Sequence, residues 1–244
     1  MRTMWTITKR EYIHYFVSPM AYAVALMFLV ILGLIFIIGV TQSAQPNATA
    51  SFGPMLTIFL FFAPVLTMRL LADEQRAGTL ELLLTSPIRE WELVVGKWLG
   101  SWLFAITLIL LTMIYPLILV AYGNPDLGPV YSSFIGLSLL VGAVLAIGVF
   151  ASSLTSNVVV AAALGLLFAL GVWIIRFVSS AIEALTLFTN SSVISIIEFL
   201  DFNSHFSDTF SRGIIDTSDA FYFISVIAIA LYIATRVVQS RRWR

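Results

Sequence analysis

The side chains equipped for chemistry gather in three places in this sequence. The first is "VVGKW", Val94 to Trp98, where Gly96 and Lys97 stand in the order found at the end of a phosphate-binding loop. Such a loop needs an upstream glycine, so that backbone amides can close on a phosphate, and a hydroxyl residue after the lysine to hold magnesium. Both are missing, so Gly96 and Lys97 make no nucleotide site. The second is the set Asp201, His205, Asp208, Asp216 and Asp219. Metal binding needs converging ligands, and this irregular spacing reads as solvated loop acids and helix caps. The chain has no cysteine and only two histidines, which removes disulfides and Cys- or His-rich metal sites. The third is "ADEQRAGTLELLLTSPIREWELVVGKW", Ala72 to Trp98, which holds eight of the chain's twenty-six Lys, Arg, Asp and Glu residues while its surroundings are almost entirely apolar.

Those surroundings set the class. Of the 244 residues 60% are hydrophobic and 11% charged, outside the range of soluble domains. A bilayer core about 30 Å thick takes roughly 20 apolar residues in helix, because lipid offers no partner to unpaired backbone groups. Six segments qualify: Met20 to Val40, Phe52 to Met68, Trp98 to Tyr122, Ser132 to Leu154, Val158 to Ile175 and Ala220 to Thr235. The first is too long, and its leader too polar, for a cleaved signal, so it reads as an uncleaved span. Pro64 and Pro116 lie inside spans, where kinks are tolerated.

Charge then orients the spans. Eleven of the thirteen basic residues fall on the face that carries both termini and Ala72 to Trp98; the other face has Arg176 and Arg212 against seven acids. The positive-inside rule makes the eleven-residue face cytoplasmic. Within the spans there is no Asp, Glu, Lys, Arg or His. Proton- and voltage-driven machines place such groups in the membrane, so the chain has no internal energy source of that kind. The lack of polar residues converging inside the bilayer also argues against a membrane enzyme.

Three further pieces organise the chain. Residues 1–18, with Trp5, Ile7, Tyr12 and Phe16 among Arg2, Lys9, Arg10 and Glu11, suit a helix on the membrane surface before Ser18 and Pro19 turn it inward. The fourth and fifth spans are joined by "LTSN", and the pairs Gly142 and Ala146, Gly148 and Ser152, and Gly165 and Ala169 are expected to let those two helices approach closely. Residues 179–219 have apolar runs too short to span and are expected to form interfacial or re-entrant helices.

In the charged loop, Asp73 to Arg76 carry the second helix into water and Gly78 breaks it. Thr79 is placed to cap a short helix, Leu80 to Thr85, with Leu80, Leu83 and Leu84 on one side and Glu81 elsewhere. Ser86 and Pro87 suit the cap and first position of the next helix, whose Ile88, Trp91, Val95, Trp98 and Trp102 recur opposite Arg89, Glu92 and Gly96. Leucines on stiff supports form either a docking knob or an anchor in the headgroup layer.

Charged residues, then G-T-L-E-L-L-L-T-x-P, then an amphipathic helix ending V-x-G-K resemble the cytoplasmic loop of ABC-2-type permeases, most like the gliding-motility-associated group and its relatives encoded beside nitrous-oxide reductase. "KREYIHYFVSPMAY", Lys9 to Tyr22, resembles that group's entry helix. "SSLTSNVVVAA", Ser152 to Ala162, resembles its fourth-to-fifth turn, and "HFSDTFSRGIIDTSDAFYF", His205 to Phe223, its approach to the sixth span. The resemblance covers nearly the whole chain. It implies an all-α polytopic membrane protein formed as one domain over 1–244, with six transmembrane helices, an N-terminal interfacial helix, a cytoplasmic coupling helix within 72–98 and an external re-entrant segment.

In function it implies half of an ABC exporter in a bacterial inner membrane. Two copies form the pathway, most simply as a homodimer, with room for an accessory membrane or extracytoplasmic subunit, contacts to membrane lipids and none to nucleic acid. ATP and magnesium belong to a separate cytoplasmic ATPase; this chain carries no cofactor and no catalytic residue. Arg76, Gly78, Thr79, Leu80, Glu81, Leu82, Leu83 and Thr85 would form the ATPase-docking coupling helix, with Glu81 and Arg76 making polar contacts around the leucines. A membrane scaffold that recruits an ATPase without passing a substrate is the alternative from another class. A charge-free interior suits lipids, glycolipids or other amphipathic cargo, and the sequence does not name it.

Overall fold

The computed structural model describes residues 2–43, 52–80, 88–122, 126–184 and 200–241. Their helices are α1 (Arg2–Val17), α2 (Pro19–Ser43), α3 (Phe52–Arg76), α4 (Glu90–Leu111), α5 (Ile114–Tyr122), α6 (Gly128–Leu154), α7 (Val158–Ala184), α8 (Phe202–Ser207) and α9 (Thr217–Arg241), with a 3-10 turn at Phe210–Arg212. No strand occurs among the described residues. Among the described residues six helical stretches are long and apolar enough to cross a membrane: Pro19–Thr41, Phe52–Arg76, Glu90–Ala121, Gly128–Leu154, Val158–Ile175 and Thr217–Arg241. The six-span, all-helical polytopic architecture expected from the apolar runs is therefore the one observed.

The boundaries differ where local chemistry overrides hydropathy. The third span is two helices rather than one kinked at Pro116. Proline has no N–H to give the carbonyl four residues back, and the chain breaks there, at Thr112 and Met113. Its start also differs from the Ser86–Pro87 expectation. Helix α4 begins at Glu90, after an extended Arg89 (ψ 136°) that provides no side-chain cap, with Glu90 and Glu92 in the first turn. Those two carboxylates suit the positive end of the helix dipole. Ser86 and Pro87 lie outside the described residues.

Helices α3 and α6 are the most enclosed, two thirds of each span being buried, whereas only 17% of the α2 and α7 spans is. Glycines on α6 set this centre, but not in the way the sequence suggested. A Cβ at Gly148 would overlap Thr67 of α3, one at Gly142 would meet Trp102 of α4 and Ile227 of α9, and one at Gly165 of α7 would lie 3.3 Å from Pro64 of α3. The small residues do allow close packing, yet mainly toward α3, α4 and α9 rather than between the fourth and fifth spans. The reason is that α6 is surrounded, so its small faces are shared among several neighbours. The indoles of Trp98 and Trp102, stacked 5.5 Å apart, fasten α4 to α6 by donating to the Gly142 and Ser138 carbonyls at 2.9 and 2.8 Å.

Candidate functional site

The candidate site is the end of the bundle where α1, the last turns of α3 and the first turns of α4 meet. Helix α3 runs unbroken through Asp73 to Arg76 and stops at Gly78, whose φ of +70° lies in the left-handed region. A side chain there is strained although nothing stands within 4 Å of its Cβ position. The Gly78 N–H donates to the Gln75 carbonyl at 3.3 Å, closing the helix end. The Thr79 hydroxyl turns back and donates to the Glu74 carbonyl at 3.3 Å, while the amides it was expected to cap, those of Glu81 and Leu82, lie outside the described residues.

Two devices hold this end of α3 to α6. The Ser152 hydroxyl accepts from the Leu71 and Ala72 amides at 3.2 and 3.1 Å and approaches the Met68 carbonyl at 3.1 Å, entering the backbone ladder of α3. The orphan carbonyls at the end of α6 are then taken up: Ser153 accepts from Gln75 Nε2 at 3.0 Å, and Ser153 and Leu154 accept from Arg241 of α9 at 3.2 and 3.0 Å. A cation at a helix C-terminus also complements its dipole.

Between α3 and α4 sits an ion cluster. Lys97, 3% exposed at its side chain, places Nζ 3.0 Å from Glu11 Oε1 of α1 and 2.8 Å from Glu74 Oε1 of α3. One ammonium thus joins three helices, and both carboxylates are themselves only 15–18% exposed. Glycines permit the approach. Gly96 and Gly100 lie under α1, where a Cβ at Gly100 would come within 2.6 Å of Glu11 Cβ and one at Gly96 within 3.1 Å of the Met4 carbonyl. Thr8, fully buried, donates to the Gly96 carbonyl at 3.1 Å, and Tyr15 donates to the Leu66 carbonyl at 2.8 Å. Burial, with Glu11 adding to it, pushes the Tyr15 phenol far above its ordinary range and keeps it a donor.

The amphipathic reading of α4 is corrected by this arrangement. Glu92, Gly96 and Lys97, assigned to or beside the polar side, are buried, whereas Trp91 of the apolar side is 41% exposed. The polar side is covered because α1 lies on it. The sequence offered one signal for this, the spacing Gly96-x-x-x-Gly100 beside a lone lysine in an apolar helix, and the partners Glu11 and Glu74 had none.

Of the residues expected to form the coupling helix, Arg76 and Gly78 are exposed at the end of α3, and Thr79 and Leu80 resume helical backbone. Leu80 is 3% exposed and joins the bundle's own core. Glu81, Leu82, Leu83 and Thr85 lie outside the described residues.

At the opposite end of the bundle, α8 and the 3-10 turn lie against the start of α6, where Ser132 and Ser133 donate to the Phe210 carbonyl at 2.6 and 3.2 Å and a Cβ at Gly136 would overlap the Phe210 ring. Asp201 caps α8, accepting from the Asn203 and Ser204 amides at 3.0 and 3.1 Å. Asp208 pairs with exposed Arg212 at 3.1 Å. Asp216 accepts from the Ser218 amide at 2.9 Å, and the Ser218 amide and hydroxyl hold its carboxyl below the usual range. Asp219 is buried rather than solvated and meets His205 Nδ1 at 2.6 Å. The five residues are thus drawn to separate tasks, and among the described residues no three His, Asp or Glu side chains are grouped as metal ligands.

A search of curated proteins finds no match to this chain. Among protein families, the one described as "ABC-2 family transporter protein" matches residues 36–239, from the first span to the end of the last. That match takes in well over half of the sequence, from the last turns of the first span through the other five, and with it the polytopic helical fold agrees: the chain belongs to the ABC-2 family of transporter membrane proteins.

Proposed function

We propose that this permease is the membrane half of an ATP-driven exporter, worked by a separate cytoplasmic ATPase that docks on the segment between α3 and α4. Membership of the ABC-2 family makes the chain a transport component of a multi-pass kind. The observation that carries the finer reading is the mounting of residues 79–88. They leave α3 at a left-handed glycine and enter α4 at Arg89, and the bases of both helices are locked together by Lys97, with α3 tied to α6 by Ser152. A force applied to such a segment moves α3 and α4 rather than being absorbed by slack.

On this reading Arg76, Glu81, Leu82, Leu83 and Thr85 meet the ATPase. Leu80 anchors the segment to its own bundle, and Gly78 with Thr79 sets its angle. Two copies of the chain form the pathway, with both termini in the cytoplasm of a bacterial cell and a kinship with the gliding-motility-associated group. The test is ATPase binding to the purified permease and to its Leu83→Ala and Glu81→Ala variants, with thermal melts to verify the bundle. An interface anchor cut to alanine costs ~2 kcal/mol or more, which is tens-fold in affinity. Unchanged binding for both variants returns the leucines to the headgroup layer and removes the docking assignment.

A further inference from the structure

A cavity of about 370 Å³ opens beside the Lys97 cluster, between α1, α2 and α3, within the size range of small-ligand sites. Its lining is both charged and apolar. Lys97, Glu11 and Glu74 lie at its buried end, Arg10, Arg69 and Asp73 line it from exposed positions, and Ala21, Val24 and Leu66 form its membrane-side wall. The charges are balanced in number but not in pairing. Lys97 is committed to Glu11 and Glu74, while neither Arg10 nor Arg69 makes an ion pair or hydrogen bond among the described residues. Glu74 Oε2 is buried with no donor among the described residues, a costly state unless a ligand or water supplies one.

Two free guanidiniums beside a carboxylate surface in want of a donor match a zwitterion carrying a phosphate and a primary ammonium. Guanidinium groups bind phosphate through two parallel N–H bonds. The cavity's position selects the source of that zwitterion. It lies where α1 turns through Ser18 into the first span, and it shares Tyr15 and Ala21 with a second, almost wholly apolar cleft of about 450 Å³ bounded by Leu26 and Leu29 of α2 and Phe104 and Leu108 of α4. A molecule with a charged head and a hydrocarbon tail meets a matching surface at each end.

We infer that this cavity binds the headgroup of an amine-bearing phospholipid, phosphatidylethanolamine in chemical class, with Arg10 and Arg69 on the phosphate, Asp73 and Glu74 on the ammonium, and an acyl chain in the apolar cleft. This goes beyond the docking of an ATPase and does not depend on it. The test is native mass spectrometry of the full-length permease, delipidated in detergent and titrated separately with phosphatidylethanolamine, phosphatidylcholine and phosphatidylglycerol of the same chains. Phosphatidylethanolamine is retained most strongly. The Arg10→Gln, Arg69→Gln double variant loses about ten-fold in retention, the loss expected when charge-assisted bonds to a phosphate are removed. Asp73→Asn erases the preference over phosphatidylcholine, and Val24→Trp, which fills the cavity without touching a charge, matches the double variant. Equal retention of the three lipids, or retention indifferent to both the double variant and Val24→Trp, overturns the assignment. Displacement by soluble glycerophosphoethanolamine at the same concentration as the lipid would show a free phosphoester site and overturn the lipid source.

Discussion

The Lys97 ammonium answers two carboxylates that otherwise face each other at short range in a poorly hydrated place. Breaking a buried pair is more damaging than never having had it, because the orphaned charges keep their desolvation cost; losses of about 3–5 kcal/mol are usual. Glu11 and Glu74 retain some access to water, so Lys97→Met is expected near the lower end, read as a fall in thermal stability in detergent. Lys97→Met combined with Glu11→Gln and Glu74→Gln should recover most of that loss. A triple variant as unstable as the single one would mean that the lysine acts by packing rather than charge. Gly78 makes a second, smaller case. Its left-handed backbone costs an L-residue about 1–2 kcal/mol, and its open surroundings add no clash, so Gly78→Ala should lower stability by about 1 kcal/mol and Gly78→Asn by less, measured the same way. Gly78 was legible as a break because glycine before a new apolar run is a local signal. The Lys97 cluster was not, since its partners stand 86 and 23 positions away and no periodicity links them.

At the scale of elements, α1 functions as a strap laid across the first turns of α4, and two glycines set its distance. A side chain at Gly100 collides with Glu11 Cβ and the backbone carbonyl of Thr8, which cannot swing aside as the end of a flexible side chain could. Gly100→Val should therefore lift α1, cost about 1–3 kcal/mol as overpacking does and raise amide hydrogen exchange across Thr3 to Phe16. Gly171→Ala on α7, where nothing lies within 4 Å, is the matched control and should leave both readouts unchanged. Unaltered exchange in Gly100→Val would show that α1 is not held by this seam. The six spans could be read from apolar length alone, because lipid forces each to be a continuous helix. Which face of a span is buried could not, because inside and outside of a membrane bundle are equally apolar; the alternation that marks a core in water is missing. That is why α4's amphipathic pattern pointed away from α1, and why the glycines of α6 were matched to the wrong neighbours.

For the molecule as a whole, the two ends of the bundle differ in chemistry. One end gathers the Lys97 cluster, the Arg241 cap and exposed Arg10, Arg69, Arg76 and Arg89. The other holds Asp126, Asp208, Asp216 and Asp219 with Arg212, and its short helix α8 is closed by an acid cap and a His–Asp pair. Translocation of basic residues is disfavoured during insertion, which predicts the first end on the cytoplasmic side. The absence of cysteine allows a direct test. Arg89→Cys, Asp126→Cys and Asp216→Cys each place one thiol at an exposed position, the first beside the loop and the others at the far end. In intact cells an impermeant thiol reagent should label the second and third, and the first only after the membrane is opened. Labelling of Arg89→Cys in intact cells without labelling of the other two would invert the protein, set the docking segment outside the cell and remove the cytoplasmic ATPase from the account.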